Sequence, residues 1–166
     1  MIGSFTTQRL HVSDWAAELS DPSARARLER SVAPLILPAV LEHLPPSVQD
    51  TEAGISAWID ARAASAHVMT VRAPRELIGL LFLADPDGGA PAPVFLGYML
   101  AEHAWGQGYA SELVQGVVAA WRSVQPARDL RGGVAIQNPA SARVLVKAGF
   151  ACVARTNELE TYQLAL

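Results

Sequence analysis

The run from Val94 to Ser123, VFLGYMLAEHAWGQGYASELVQGVVAAWRS, leaves this chain few folds to choose from. Val94 to Leu100 is a short apolar run with β-branched and aromatic members, the pattern of a buried strand. Trp105-Gly106-Gln107-Gly108-Tyr109-Ala110 then reads as a turn. Beyond it Ala110, Leu113, Val114, Val117, Val118 and Trp121 recur at helical spacing on one face, with Glu112, Gln115 and Arg122 on the polar side. Small residues at a strand-to-helix turn let a ligand come close to the backbone, and the first amides of a helix have no partner within it. With the helix dipole they make an anion site that needs no basic side chain.

Taken in order, the chain surrounds this unit with a single α/β domain over 1–166. Phe5 to Val12 reads as one strand, and Ser13 and Asp14 as a helix start with Trp15 and Leu19 on its buried side. Asp21-Pro22 is a second start, Asp as N-cap and Pro at the first helical position, and that helix runs to Val32. Leu35 to Pro46 is apolar but broken by Pro38, Pro45 and Pro46, so short helical turns packed over a sheet are expected. Asp50 or Thr51 starts a helix burying Ile55, Trp58, Ile59 and Ala63. His67 to Arg72 and Glu76 to Ala84 read as strands about a turn at Ala73-Pro74-Arg75, and Asp85 to Pro93 as a loop. Pro126 ends the long helix. Leu130 to Ile136 is a strand, Asn138 caps a helix from Pro139 to Ala148, and Gly149 closes it. Phe150 to Arg155 and Leu159 to Leu166 form a terminal antiparallel pair.

Composition removes several classes. A formal charge of −3 gives no basic face for nucleic acid. The lone Cys152 excludes an intrachain disulfide framework, and His11, His43 and His67 have no metal-ligand spacing, so no metal is expected. The first twenty residues lack an apolar signal core, and the longest strongly apolar run, Leu77 to Ala84, is too short to span a bilayer. A cytoplasmic protein with no membrane partner is expected. A dinucleotide-binding reading of Gly106-x-Gly108 fails on the missing third glycine and on Asp129, which precedes a strand where the ribose-binding acid should end one.

Three motifs carry a resemblance. Trp105-Gly106-Gln107-Gly108-Tyr109-Ala110 resembles the pyrophosphate loop of the GNAT acyltransferases, Arg/Gln-x-x-Gly-x-Gly/Ala, with Gly108 and Ala110 on its last two fixed positions and Trp105 in place of Arg or Gln. Asn138 to Phe150, NPASARVLVKAGF, resembles that family's Asn-x-x-Ser/Ala segment running on to Lys-x-Gly-Phe. Thr7-Gln8-Arg9-Leu10-His11-Val12 is similar to the first strand of the ribosomal-protein N-acetyltransferase branch, departing from it at Gln8 and Val12. The resemblance implies a GNAT fold: a mixed sheet of about seven strands, split between the fourth and fifth and flanked by helices. It implies acetyl-CoA as cosubstrate and direct attack by an amine through a tetrahedral intermediate.

It also implies site residues. Backbone amides of Gly106, Gln107, Gly108, Tyr109, Ala110 and Ser111 would hold the pyrophosphate. The backbone of Met99, Leu100 and Ala101 would pair with the pantetheine and polarise the thioester carbonyl. Asn138 would bond the pantetheine, although capping alone explains an Asn there. Lys147, with Arg143, would meet phosphate or form a solvated helix face. The family's usual Tyr acid falls on Leu145 here and is absent; the resemblance to the ribosomal branch, which uses a Ser at the Ser141 position, implies Ser141 as the candidate proton donor to the thiolate, against a packing role for a small residue. Glu102, beside His103, is the candidate base, against an ordinary solvated pair. The acceptor would be a protein N-terminus or a small amine, walled by Leu35 to Leu44. A homodimer and a catalytically weak CoA-binding sensor or scaffold remain open alternatives.

Overall fold

The structure, a computed structural model, describes residues 1–89, 91–124 and 128–165. The N-terminal run folds as two strands, β1 (Phe5–Thr6) and β2 (His11–Asp14). The single strand expected over Phe5 to Val12 breaks at Thr7, whose N–H donates to Leu10 O while its hydroxyl accepts from the Leu10 N–H. Helices α1 (Ala16–Ser20) and α2 (Pro22–Val32) follow, the second capped by Asp21, which accepts from the Ala24 N–H at 2.7 Å. A 3₁₀ turn at Ala33–Leu35, α3 (Pro38–Leu41) and α4 (Pro46–Gln49) are the short pieces that the prolines require. Helix α5 (Gly54–Ser65) starts later than expected because the Asp50 carboxylate takes the Glu52 N–H and sets a turn first. Ala63 is exposed on it, and Arg62 is buried instead, with its guanidinium over the Trp58 ring at 5.5 Å and bonded to Ser47 O.

Then come β3 (His67–Ala73), β4 (Glu76–Ala84), β5 (Val94–Leu100), a 3₁₀ turn at Glu102–Ala104 and α6 (Tyr109–Val124). The chain finishes with β6 (Leu130–Ala135), α7 (Pro139–Lys147), β7 (Ala151–Arg155) and β8 (Leu159–Leu164). The expected stop at Pro126 and the expected strand end at Leu166 lie outside the described residues.

Among the described residues eight strands make one sheet in the order β1-β2-β3-β4-β5-β6-β8-β7. Every neighbouring pair is antiparallel except β5 and β6. That parallel pair is registered only at Val94↔Leu130 and Phe95↔Arg131, after which the strands part. The expected split is therefore present, between the fifth and sixth strands because the first strand became two.

Alternation along the strands sorts the core into two layers. Met69, Val71, Leu81, Leu83, Leu96 and Leu100 face α6 and α7, whose Leu113, Val117, Trp121 and Leu145 fill that side. Val68, Leu80 and Met99 face the opposite way, onto Trp15, Leu28, Val32, Leu35 and Ile59. No helix among the described residues is long and apolar enough to cross a membrane.

The root of the split is pinned by Arg128. Its guanidinium reaches both Asp85 oxygens, at 2.7 and 2.5 Å, and the Ala92 carbonyl at 2.7 Å, while its own carbonyl takes the Trp121 indole N–H. These donations hold the Asp85 carboxyl below the usual carboxylate range. A carboxyl that is more acidic folded than unfolded stabilises the fold above its unfolded pKa, and that contribution is lost as pH falls through the folded value. Asp85→Asn should therefore lower the melting temperature at neutral pH. Thermal scans from pH 7 down to pH ~2 should show the gap to wild type closing through and below the carboxylate range, around pH ~4.

Candidate functional site

Where β5 leaves β6 a cleft of about 640 Å³ opens, walled by the end of β5, the Trp105–Ser111 turn, the first half of α7 and residues 39–44. Its floor follows from strand geometry. In an antiparallel ladder, alternate residues turn their backbone groups to opposite edges. The Ala101 N–H donates to Ile78 O on the β4 side and the Val94 N–H donates to Asp129 O on the β6 side. Odd residues of β5 thus bond β4, and Tyr98 and Leu100 turn their backbone groups to the opened edge. This corrects the expected trio. Met99 and Ala101 bond the neighbouring strand, and Leu100 offers its N–H while its carbonyl accepts the Trp105 indole N–H at 2.7 Å. Met99 and Leu100 line the cleft, and Ala101 is buried outside it.

The turn has two left-handed residues, Gly106 at φ 71° and Gly108 at φ 82°, a conformation that side chains disfavour. It ends in the first turn of α6. The Glu112 N–H is the first to bond back, to Gly108 O at 3.1 Å, so the amides of Tyr109, Ala110 and Ser111 have no intrahelical partner. Gly106, Gly108, Tyr109, Ala110 and Ser111 all line the cleft. Gln107 does not: its side chain donates to His103 O at 2.6 Å and its carbonyl faces Arg9.

Beneath the turn lies a node that the motifs do not reveal. Glu112 accepts from the Thr7 hydroxyl at 2.5 Å, the Arg9 N–H at 2.7 Å and Arg9 Nε at 2.7 Å. Arg9 also donates to Gln107 O at 2.9 Å and covers the Tyr109 ring at 4.4 Å. Burial pushes the Glu112 carboxyl up, but the Thr7 and Arg9 donations outweigh it and leave the carboxyl below its ordinary value. Gly116 permits this contact, because a Cβ there would meet Thr7 Cγ2 at 2.7 Å and Phe5 Cε2 at 2.8 Å.

On the far wall Asn138 caps α7, its Oδ1 accepting the Ser141 N–H at 3.1 Å, so its amide N–H groups remain for the cleft. Ser141 also lines the cleft and its Oγ receives the Tyr98 hydroxyl at 3.1 Å. Lys147 and Arg143 edge the same wall and make no ion pair among the described residues. Leu145 faces the core at 3% exposure. Glu102 does not join the site. The 3₁₀ turn sends Ala104 inward to the cleft and leaves Glu102 and His103 exposed, with His103 3.3 Å from Glu76. Tyr98 was legible in principle, since it carries the one polar side chain of an otherwise apolar strand, and a buried phenol takes a hydrogen-bond partner. Burial pushes this phenol up, more than Ser141 pulls it back, so it is neutral at physiological pH.

Residues 8–151 match the family model described as an acetyltransferase (GNAT) domain. The chain belongs to the GNAT acetyltransferases. Three solved structures share the architecture. A GNAT acetyltransferase from Bacillus anthracis superposes with a TM-score of 0.79 at 14% identity, over 98% of each chain. The ribosomal-protein-S5-alanine acetyltransferase from Vibrio fischeri gives 0.76 at 14%, over 98% of this chain and 96% of that one. RimL, a ribosomal L7/L12 alpha-N-protein acetyltransferase in complex with coenzyme A, gives 0.68 at 18%, over 96% of each. The sequence itself matches no curated protein significantly. GNAT acetyltransferases take their acetyl group from acetyl-CoA. The residues present suit that donor: open amides for a polyanion, a strand edge for an extended arm, and hydroxyls at the far end.

The Glu112 node gives a direct test. Glu112→Gln keeps the shape but removes the charge that Thr7 and Arg9 address, and a hydrogen bond to a charged group is worth about 1.5–3 kcal/mol where buried. With Arg9 partly exposed, the expected loss is about 1–2 kcal/mol in urea unfolding.

Proposed function

We propose that this GNAT acetyltransferase transfers the acetyl group of acetyl-CoA to a primary amine carried on an apolar body, a protein N-terminus or a small amine of that kind. One observation carries the reading. A single cleft joins the open amides of Tyr109, Ala110 and Ser111 to an apolar wall made by Ala39, Val40 and Leu44. Anion binding at one end and a largely apolar wall at the other, interrupted by Glu42 and His43, suit a phosphate-bearing donor and an apolar acceptor whose amine can meet a carboxylate in one cavity.

Acetyl-CoA supplies an activated acyl carbon, so the chain has only to bind, orient and move protons. Amides at the start of α6 hold phosphate, with Lys147 and Arg143 on the facing wall of the cleft. The Leu100 N–H and Asn138 amide direct the arm along the opened edge of β5. Ser141 stands where its hydroxyl gives a proton to the departing sulfur. An α-amine with a pKa near ~8 is partly neutral at pH 7, whereas a lysine amine near ~10.4 needs a base. Tyr98 is the neutral hydroxyl beside Ser141, and among the described residues Glu42 is the one carboxylate in the cleft lining. That scarcity favours the more easily deprotonated α-amine. Two structural neighbours bear names of ribosomal-protein acetyltransferases, one of them an alpha-N-protein acetyltransferase, which points the same way.

The acceptor wall differs in detail from the expected Leu35-to-Leu44 segment. Leu35 and Leu41 belong to the core, and Ala39, Val40, Glu42, His43 and Leu44 line the cleft. A polyamine would have to shed water from several charges against Val40 and Leu44. In competition for acetylation, a peptide with an apolar N-terminal residue should be preferred over spermidine, and preference for spermidine would overturn the apolar-acceptor reading. Gly108→Asp strains a left-handed position, where its Cβ would lie 3.4 Å from Arg9 Nη2, and adds a negative charge to the turn that would hold the phosphate. Calorimetry should show CoA affinity reduced by at least about tenfold, or about 1.4 kcal/mol. Unchanged CoA binding would remove the phosphate site.

A further inference from the structure

The Tyr98–Ser141 bond spans the split, from a strand of one half of the sheet to the helix of the other. Tyr98 donates and Ser141 Oγ accepts. A serine hydroxyl has one hydrogen to give, and no acceptor for it is found among the described residues. With one side of Oγ occupied by Tyr98, that hydrogen is left for a partner in the cleft that both residues line.

We infer that Tyr98 and Ser141 form a two-hydroxyl proton relay in which Tyr98 orients and recharges Ser141. The inference rests on the reading of the cleft as the acetyl-CoA site. As the bond between acetyl carbon and sulfur breaks, Ser141 Oγ passes its hydrogen to sulfur and takes the hydrogen of Tyr98. Tyr98 Oη recovers a proton, through water, from the attacking nitrogen, which loses one on becoming an amide. One N–C bond forms, one C–S bond breaks, one proton goes from nitrogen to sulfur, and both hydroxyls end as they began. The relay carries a proton without an ionised group, which suits a lining whose one carboxylate, Glu42, stands on the acceptor wall.

Tyr98→Phe keeps the ring and its packing and removes only the hydroxyl. For an amine that wild type acetylates, kcat should fall on the order of tenfold to a hundredfold. CoA affinity by calorimetry and acceptor KM should stay within about twofold, because the hydroxyl acts on the leaving group and not on binding. Ser141→Ala should cost at least as much, and the double variant no more than Ser141→Ala alone. A second readout needs no acceptor. The thiol pKa of bound CoA, followed by thiolate absorbance, should rise by about half a pH unit or more in each variant, again without addition in the double. Unchanged kcat in Tyr98→Phe, an unmoved thiol pKa, or losses that multiply in the double variant would each overturn the relay. Wild-type protein that fails to bind CoA would overturn the acetyl-CoA reading beneath it, and that result is separate from any comparison of variants.

Discussion

Two parallel strands that start side by side and then part determine almost everything about this molecule. While β5 and β6 are paired, each satisfies the other's backbone. Beyond Phe95 and Arg131 that satisfaction ends, and the β5 groups at Tyr98 and Leu100 face a gap. Exposed strand edges with unpaired amides and carbonyls attract whatever extended chain can reach them. Here the gap is flanked by α6 and α7, which pack on the same face of the sheet. The Arg128–Asp85 pair and the Trp121 indole hold the point of departure, so that the opening angle is a property of a rigid root rather than of a mobile flap.

The helix that starts beside this gap needs its first turn held in place, and the holding comes from the other end of the chain. Arg9 reaches the Gln107 carbonyl and lies over Tyr109, while Glu112 gathers Thr7 and both the backbone and side chain of Arg9. Two glycines in left-handed conformations give the turn its shape without adding bulk on its cleft side. The arrangement separates two tasks. Arg9 supports the turn from its underside, and the open amides of Tyr109, Ala110 and Ser111 are left for the cleft. A net-negative protein can then present a positive potential over a few ångströms without a basic surface.

Much of the architecture was legible in the residues because periodicity and punctuation agreed. Asp21-Pro22, Asn138-Pro139 and the apolar runs on either side of the turn at Ala73-Pro74-Arg75 leave few alternatives. What was not legible depended on partners distant in sequence. Phe5 to Val12 reads as a continuous strand until one sees that Thr7 bonds back to Leu10. Ala63 reads as a core residue on helical spacing, but Arg62 takes the site because Trp58 and Ser47 receive it. Met99 and Ala101 were named for their place near the strand end. Which edge a residue serves depends on registry with β4, and sequence alone carries no registry. Glu102 was singled out for being acidic and nearby, and a three-residue turn carries it to the outside. Tyr98 and Ser141 are forty-three positions apart, and only the parting of the strands brings them together.

The contacts of Glu112 with Thr7 and Arg9 bridge 105 and 103 positions of chain. Closing a loop of that length has an entropic cost that no local interaction can offset early in folding. The glycine motif, its strand and its helix can all form from neighbouring residues while the underside of the turn is still bare. The shape of the turn is therefore a short-range property, whereas its support from beneath is a long-range one, present only when two stretches of chain about a hundred positions apart have met.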